Sequence, residues 1–197
     1  MFTGIVREIG TIEGVRRAGG IARLTVRAPK TAAHVKPLES VAVHGVCLTA
    51  TRVGRGVMEF EVVPETGRRT TLGALRPGAR VHLEPSMGIT DRLHGHFVFG
   101  HVDGTGRVLR RRAVRGEQVL WIRVPAALRG LLVPKGAIAI NGVSLTVGAA
   151  VRGTTCAVHL IPETLRRTAL GAIRPGDAVN VEADYLAKLV RANLRGR

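Results

Sequence analysis

The chain repeats itself over a domain's length. The residues from Pro64 to Gly78 return 98 positions later, from Pro162 to Gly176, with Pro-Glu-Thr, Arg-Arg-Thr, Leu-Gly-Ala and Arg-Pro-Gly in the same places. Upstream, Gly45-Val46-Cys47-Leu48-Thr49 returns as Gly142-Val143-Ser144-Leu145-Thr146, and Gly4-Ile5-Val6 returns as Gly100-His101-Val102. The matches keep their order with offsets of 96 to 98, so two homologous units lie head to tail. A solenoid is excluded, because its repeats run only about 20 to 50 residues. Each half, with 45% apolar residues in the whole chain, can enclose a small core of its own. A duplicated unit also offers a two-fold-like cleft that could take two similar molecules.

Within each half the apolar residues alternate. Val57 to Val62 places Met58, Phe60 and Val62 on one face and Val57 and Glu59 on the other, the pattern of a half-buried strand. Residues 118–124 and 155–160 read the same way, and residues 79–84 match 177–182 as strands entered through an Arg-Pro-Gly turn. Several short strands per half, separated by Gly and Pro, predict a small closed barrel. Short helical pieces are expected after both Pro-Glu-Thr segments and over Ala126 to Leu132, and a terminal helix over Tyr185 to Leu194. In that helix Leu186, Leu189, Val190 and Leu194 form one stripe, which either meets a partner subunit or docks on its own barrel.

A net charge of +16 suggests nucleic acid as a partner, but its distribution argues against one. The arginines are scattered apart from one cluster, Arg107, Arg110, Arg111, Arg112 and Arg115. The aromatics for stacking bases are only Phe2, Phe60, Phe97, Phe99, Trp121 and Tyr185. No apolar run reaches the roughly 18 residues of a membrane span, and the N-terminus lacks the basic and apolar regions of a secretory signal. Cys47 and Cys156 occupy non-equivalent positions in the two halves, which suggests reduced thiols in a cytoplasmic setting rather than a disulfide framework.

The chain resembles riboflavin synthase at Met1-Phe2-Thr3-Gly4-Ile5-Val6, at Gly45 to Thr49, at Gly95-His96-Phe97-Val98-Phe99-Gly100-His101-Val102-Asp103-Gly104 and at Val143 to Thr146. The resemblance runs to about Asp184 and includes the tandem repeat. It implies an all-β protein of two tandem six-stranded Greek-key barrels, residues 1–96 and 97–184, with short helices and a C-terminal oligomerisation helix, 185–197. It implies a homotrimer with sites between subunits, and a lumazine synthase capsid as a further partner. The implied reaction transfers a four-carbon unit between two molecules of 6,7-dimethyl-8-ribityllumazine, giving riboflavin and 5-amino-6-ribitylaminouracil, with no metal or redox cofactor. The alternative is a non-catalytic lumazine- or flavin-binding protein with the same barrels; such relatives degrade the motifs of one half, and here both halves keep them.

The site residues follow from the same resemblance. In the N-terminal barrel the expected substrate contacts are Gly4, Ile5, Val6, Cys47, Leu48, Thr49, Glu61, Val62, Val63, Pro64, Glu65 and Thr66. In the C-terminal barrel they are Gly100, His101, Val102, Lys135, Ser144, Leu145, Thr146, His159, Leu160, Ile161, Pro162, Glu163 and Thr164. Phe2, Ser40, His96 and Asp184 match further positions near the site. Cys47, Ser144, His101, Asp184, Ser40 and Asn141 are the candidate catalytic groups, and Cys156 reads as core. The Pro-Glu-Thr carboxylates could also cap the short helices that follow. His44, His94 and Asn141 depart from the family pattern. At Asn141 an amide stands where a carboxylate is usual, so the expectation is substrate orientation by the amide rather than proton transfer.

Overall fold

The computed structural model describes residues 1–114 and 116–195 of the chain. The N-terminal half contributes β1 (Glu8–Ala18), β2 (Ile21–Arg27), β3 (Ser40–Val43), β4 (Val46–Gly54), β5 (Val57–Val62) and β6 (Arg80–Pro85). The C-terminal half contributes β7 (Gly104–Val114), β8 (Glu117–Arg123), β9 (Ala137–Ile140), β10 (Val143–Arg152), β11 (Thr155–Leu160) and β12 (Ala178–Ala183). Each set closes into an antiparallel barrel, in the order β1-β2-β5-β4-β3-β6 and, equivalently, β7-β8-β11-β10-β9-β12. In each, three successive hairpin strands are followed by one that returns beside the first of them (β6 beside β3, β12 beside β9), which is the Greek-key connection.

The alternation read from the sequence is the alternation observed. Met58, Phe60 and Val62 point into the first barrel with Leu24, Val26, Val41 and Leu83, while Leu120, Ile122, Ile138, Val158 and Val181 fill the second. Cys156 lies in that second core, where burial pushes its thiol pKa up to about 11, so it is packing and not chemistry. A third, small apolar cluster of Phe2, Ala42, Val98 and Ala139 lies between the barrels.

The helical pieces are α1 (Pro29–Ala32), α2 (Pro64–Arg69), α3 (Pro162–Arg167) and α4 (Tyr185–Arg195). The Pro-Glu-Thr segments are themselves the first turns of α2 and α3, with proline at the position where a missing N–H costs nothing. Their carboxylates do not cap: Glu65 pairs with Arg68 and Arg69, and Glu163 with Arg166 and Arg167. Over Ala126 to Leu132 only a 3₁₀ turn forms, Ala126–Leu128. The stripe of α4 does not dock on its own barrel; other residues of the helix do. Ala187 packs on the C-terminal core and the Tyr185 ring lies 4.6 Å from that of Phe99, while Leu186, Leu189, Val190 and Leu194 stay exposed.

The arginine cluster is largely structural. Arg107 donates to the Gly176 carbonyl, Arg111 to those of Gly171 and Ile173, and Arg110 lies over the Trp121 ring at 5.2 Å. Its fifth member, Arg115, lies outside the described residues. Among the described residues no helix is long and apolar enough to cross a membrane.

The two barrels meet through paired hydrogen bonds related by the repeat. The His44 N–H donates to the His82 carbonyl (2.7 Å) and the Asn141 N–H to the Asn180 carbonyl (2.8 Å), each within its own half. Across the joint, Asn180 Nδ2 donates to the His44 carbonyl (2.9 Å), and His82 Nδ1 faces the Asn141 carbonyl at 2.8 Å. Asn180 Oδ1 accepts from the Thr71 N–H (2.7 Å) and His82 Nε2 from the Ala169 N–H (2.8 Å). Thus His82 must carry its proton on Nδ1 and a lone pair on Nε2, which fixes it as neutral. Burial lowers its pKa to about 4; burial, with His82 nearby, lowers that of His44 to about 3.

Both folded-state values lie below the ordinary 6.5. Their contribution is therefore complete above pH 6.5 and is lost as the pH falls toward 4 and then 3. Glu84 and Glu182, raised by burial, oppose this slope, so the histidine part must be read as a difference. His82→Asn gives the joint the residue found at the equivalent Asn180. Wild type should lose about 2–3 kcal/mol more than this variant between pH 7 and pH 4. Urea unfolding of both proteins across that range checks it.

Candidate active site

The site is built by two segments that lie outside the barrels, just before β1 and just before β7. Each is tied to its own barrel by a buried glutamate at the end of the last strand. The Glu84 carboxylate accepts from the Thr3 N–H (2.8 Å), the Thr3 hydroxyl (2.8 Å) and the Gly4 N–H (3.0 Å). Glu182 accepts from the N–H groups of Phe99 (2.7 Å) and Gly100 (2.9 Å). Burial raises both carboxyl pKa values against the pull of these donors.

Beyond the glutamate each segment crosses to the other barrel. The Gly4 carbonyl accepts from the Ser144 N–H (2.8 Å), and the Gly100 carbonyl from the Cys47 N–H (2.9 Å). Both glycines have positive φ, 77° and 72°. A Cβ on Gly4 would sit 2.6 Å from that of Ser144, and one on Gly100 would sit 2.6 Å from the Cys47 nitrogen. Only glycine permits the approach.

This exchange corrects the grouping by halves expected from the sequence. Gly4, Ile5 and Val6 join Ser144, Ile161, Glu163 and Thr164 around a cavity of about 180 Å³. Gly100, His101 and Val102 join Cys47, Glu65 and Thr66 around one of about 470 Å³. Strand alternation explains which other residues are absent from the walls. Cys47 and Thr49 face outward from β4, and Ser144 and Thr146 from β10, while Leu48, Leu145, Val62 and Leu160 turn into the barrel cores.

The remaining expected positions are distributed around the site. His96 shares a 2.7 Å hydrogen bond between its Nδ1 and Ser144 Oγ, and its buried Nε2 has no partner among the described residues. Burial lowers its pKa while Asp184 opposes the shift. Asp184 Oδ1 accepts the Leu186 N–H at the start of α4. Ser40 pairs with Thr49 in the ladder, and its carbonyl accepts from Ser86. Glu61 pairs with Arg23, and His159 Nδ1 lies 3.0 Å from Glu117. Val63, Pro64, Pro162 and Lys135 are exposed, Lys135 with a φ of 65°.

Two residues lie elsewhere than expected. Phe2 is fully buried between the barrels, its backbone exchanging hydrogen bonds with Val98 (2.7 and 3.1 Å). Asn141 is buried at the joint with a φ of 48°, and its Oδ1 accepts the Asn180 N–H at 2.7 Å. It lines neither cavity; its amide ties the turn to β12 of the same barrel while its backbone carbonyl meets His82 across the joint, and the expectation that it orients substrate gives way. His44 belongs to the same joint, and His94 is exposed. The anchoring glutamates were missed by reading the sequence. Their signal is the repeat itself: Glu84 and Glu182 recur 98 positions apart at the ends of matched apolar strands.

Comparison with known proteins agrees with the two-barrel fold. The family model for the lumazine binding domain matches twice, over residues 3–86 and 99–184. The riboflavin synthase of Mycobacterium bovis is 42% identical over 99% of this chain and 98% of its own. That of Bacillus subtilis is 38% identical over 95% of this chain and 87% of its own. Among solved structures, LumP complexed with riboflavin superposes with a TM-score of 0.86 at 25% identity, over 93% of this chain and 99% of that one.

Proposed function

The chain belongs to the riboflavin synthase family, and from that premise we propose that each of its two cavities holds one molecule of 6,7-dimethyl-8-ribityllumazine. The protein is a transferase of riboflavin biosynthesis. Two lumazines dismutate: one gives up a four-carbon unit and leaves as 5-amino-6-ribitylaminouracil, and the other gains it and becomes riboflavin. The observation that carries the assignment of the cavities is the reciprocal crossing of the two segments. It gives each cavity the same parts, a Gly-x-Val segment from one half and, from the other, the start of a strand (Val46-Cys47 or Val143-Ser144) and a Glu-Thr helix turn.

The substrate supplies much of the chemistry. Its 7-methyl C–H bond is acidic because the electron pair left behind spreads over the pteridine. The protein must hold two flat rings facing one another, which removes most of the entropic cost of a two-molecule step, and supply donors to ring carbonyls and the developing anion. At one half-site the Cys47 thiol and His101 are the groups available for proton transfer. At the other they are the Ser144 hydroxyl and His96, already hydrogen-bonded. Asp184 and Ser40 act through neighbours in this reading, by fixing the start of α4 and the edge of β4.

We assign residues 1–96 and 97–184 to the two lumazine-binding units and residues 185–197 to assembly. The exposed stripe of α4 supports a homotrimer, in which the Cys47 half-site of one subunit faces the Ser144 half-site of the next. A lumazine synthase capsid is the further partner of the same proposal.

The function is tested by incubating the purified protein with the lumazine alone and following absorbance. Two molecules should disappear for each riboflavin formed. Tight binding without riboflavin would instead identify a non-catalytic lumazine-binding protein. A finer outcome concerns the one difference between the matched segments Gly45–Thr49 and Gly142–Thr146, Cys47 against Ser144. Cys47→Ser should lower kcat about tenfold, since a hydroxyl ionises far less readily than a thiol, while lumazine affinity measured by fluorescence stays within about threefold. Unchanged kcat would make the thiol incidental.

A further inference from the structure

The two half-sites are twins in sequence and unequal in charge, and α4 makes the difference. In the Ser144 cavity the charged side chains are Glu163 and Arg167, which pair with one another. In the Cys47 cavity Glu65 pairs with Arg69 (3.6 Å) and Asp103 with Lys188 (2.7 Å). Arg191 is left as a guanidinium with no carboxylate partner among the described residues. Its Nη1 is held instead by the carbonyls of Ala127 and Arg129, at 3.2 Å each. Lys188 and Arg191 both come from α4, which braces the back of the Phe99–Asp103 segment.

The N-terminal half has no such brace. Behind the equivalent Thr3–Arg7 segment a cavity of about 260 Å³ opens, walled by Thr31, Ser86 and Met87. Duplication made the two half-sites alike, and the single terminal helix adds a fixed cation to one of them.

We propose that Arg191 makes the Cys47 half-site the one that holds lumazine as its 7-methyl anion, so that the two bound molecules take different parts in the transfer. The inference rests on the reading that each cavity binds one lumazine. The C–H bond of the 7-methyl group breaks, its electron pair stays on the pteridine, and in a binding experiment the proton passes to solvent. An uncompensated cation at a partly buried wall favours such an anion about tenfold at the effective dielectric near a protein surface. The ring at the Ser144 half-site meets only a neutralised pair and keeps its proton.

The test is an absorbance titration of lumazine bound at saturation, which separates the neutral and anionic forms. In Arg191→Met the more acidic of the bound molecules should ionise about one pH unit higher than in wild type, a tenfold loss of anion binding. Arg191→Lys, which keeps the charge, should restore most of it. Light scattering shows whether assembly is kept; if Arg191→Met fails to assemble, Arg191→Gln, which can still donate to the two carbonyls, is read in its place. Ionisation at the wild-type pH in the assembled variant would overturn the inference, and so would failure of Arg191→Lys to restore it. A wild type that binds no lumazine would overturn the underlying reading instead.

Discussion

Replacing Glu84 by alanine is expected to lower the thermal midpoint by roughly 10 °C and to cut riboflavin formation at least about a hundredfold. The first figure follows from leaving three donors without their buried acceptor, about 3–5 kcal/mol, in a chain of this size. The second follows from the role of those donors. With Thr3 and Gly4 released, the Gly4 carbonyl no longer rests on the Ser144 N–H, and one wall of that half-site loses its position. Glu182→Ala should do the same to the Gly100 segment and the Cys47 half-site. Each variant should bind one lumazine per chain by calorimetry where wild type binds two. A variant that keeps two would show that the glutamates stabilise the barrels without shaping the sites.

Removal of the residues after Asp184 should act more broadly. The truncated chain is expected to sediment as a monomer and to form riboflavin at less than about 1% of the wild-type rate, because a site between subunits cannot assemble. Two roles are lost together: the exposed stripe of Leu186, Leu189, Val190 and Leu194, and the brace through Tyr185, Lys188 and Arg191. Leu189→Glu with Val190→Glu separates them. It should yield monomers that lack activity yet still bind lumazine at the Cys47 half-site, where the truncated chain does not. A truncated chain that remains trimeric would remove the stripe from the assembly.

Most of the architecture could be read from residue patterns, because strands with one apolar face announce themselves by alternation and a duplicated domain announces itself by repetition. The polar members of the site came from the family resemblance, and strand alternation sorts them: Cys47 and Ser144 stand on the outward phase of β4 and β10, whereas Leu48 and Leu145, expected as contacts, turn inward. The reciprocal crossing was not legible. Nothing local in Gly4-Ile5-Val6 says that it will lie on Ser144 rather than on Cys47, since both strands present the same hydrogen-bonding edge and the choice is made by packing between barrels. Asn141 was misread for a related cause. A polar residue at a turn looks the same whether its side chain faces a ligand or another strand of its own barrel, and its partner Asn180 lies 39 residues away. Arg191 lies in a helix whose legible pattern is its apolar stripe, and nothing local marks it for the wall of the Cys47 cavity.

The central claim is that the reacting pair of lumazines is held by two different subunits, and subunit mixing tests it most directly. Cys47→Trp fills one cavity and Ser144→Trp fills the other, and each protein alone should be inactive. Co-expressed in equal amounts, they should form mixed trimers in which half of the Cys47 half-sites and half of the Ser144 half-sites are intact. Random pairing between neighbours then restores about a quarter of wild-type activity. Mixed trimers that stay as inactive as either parent would mean that both lumazines are bound within one chain, and would contradict the account.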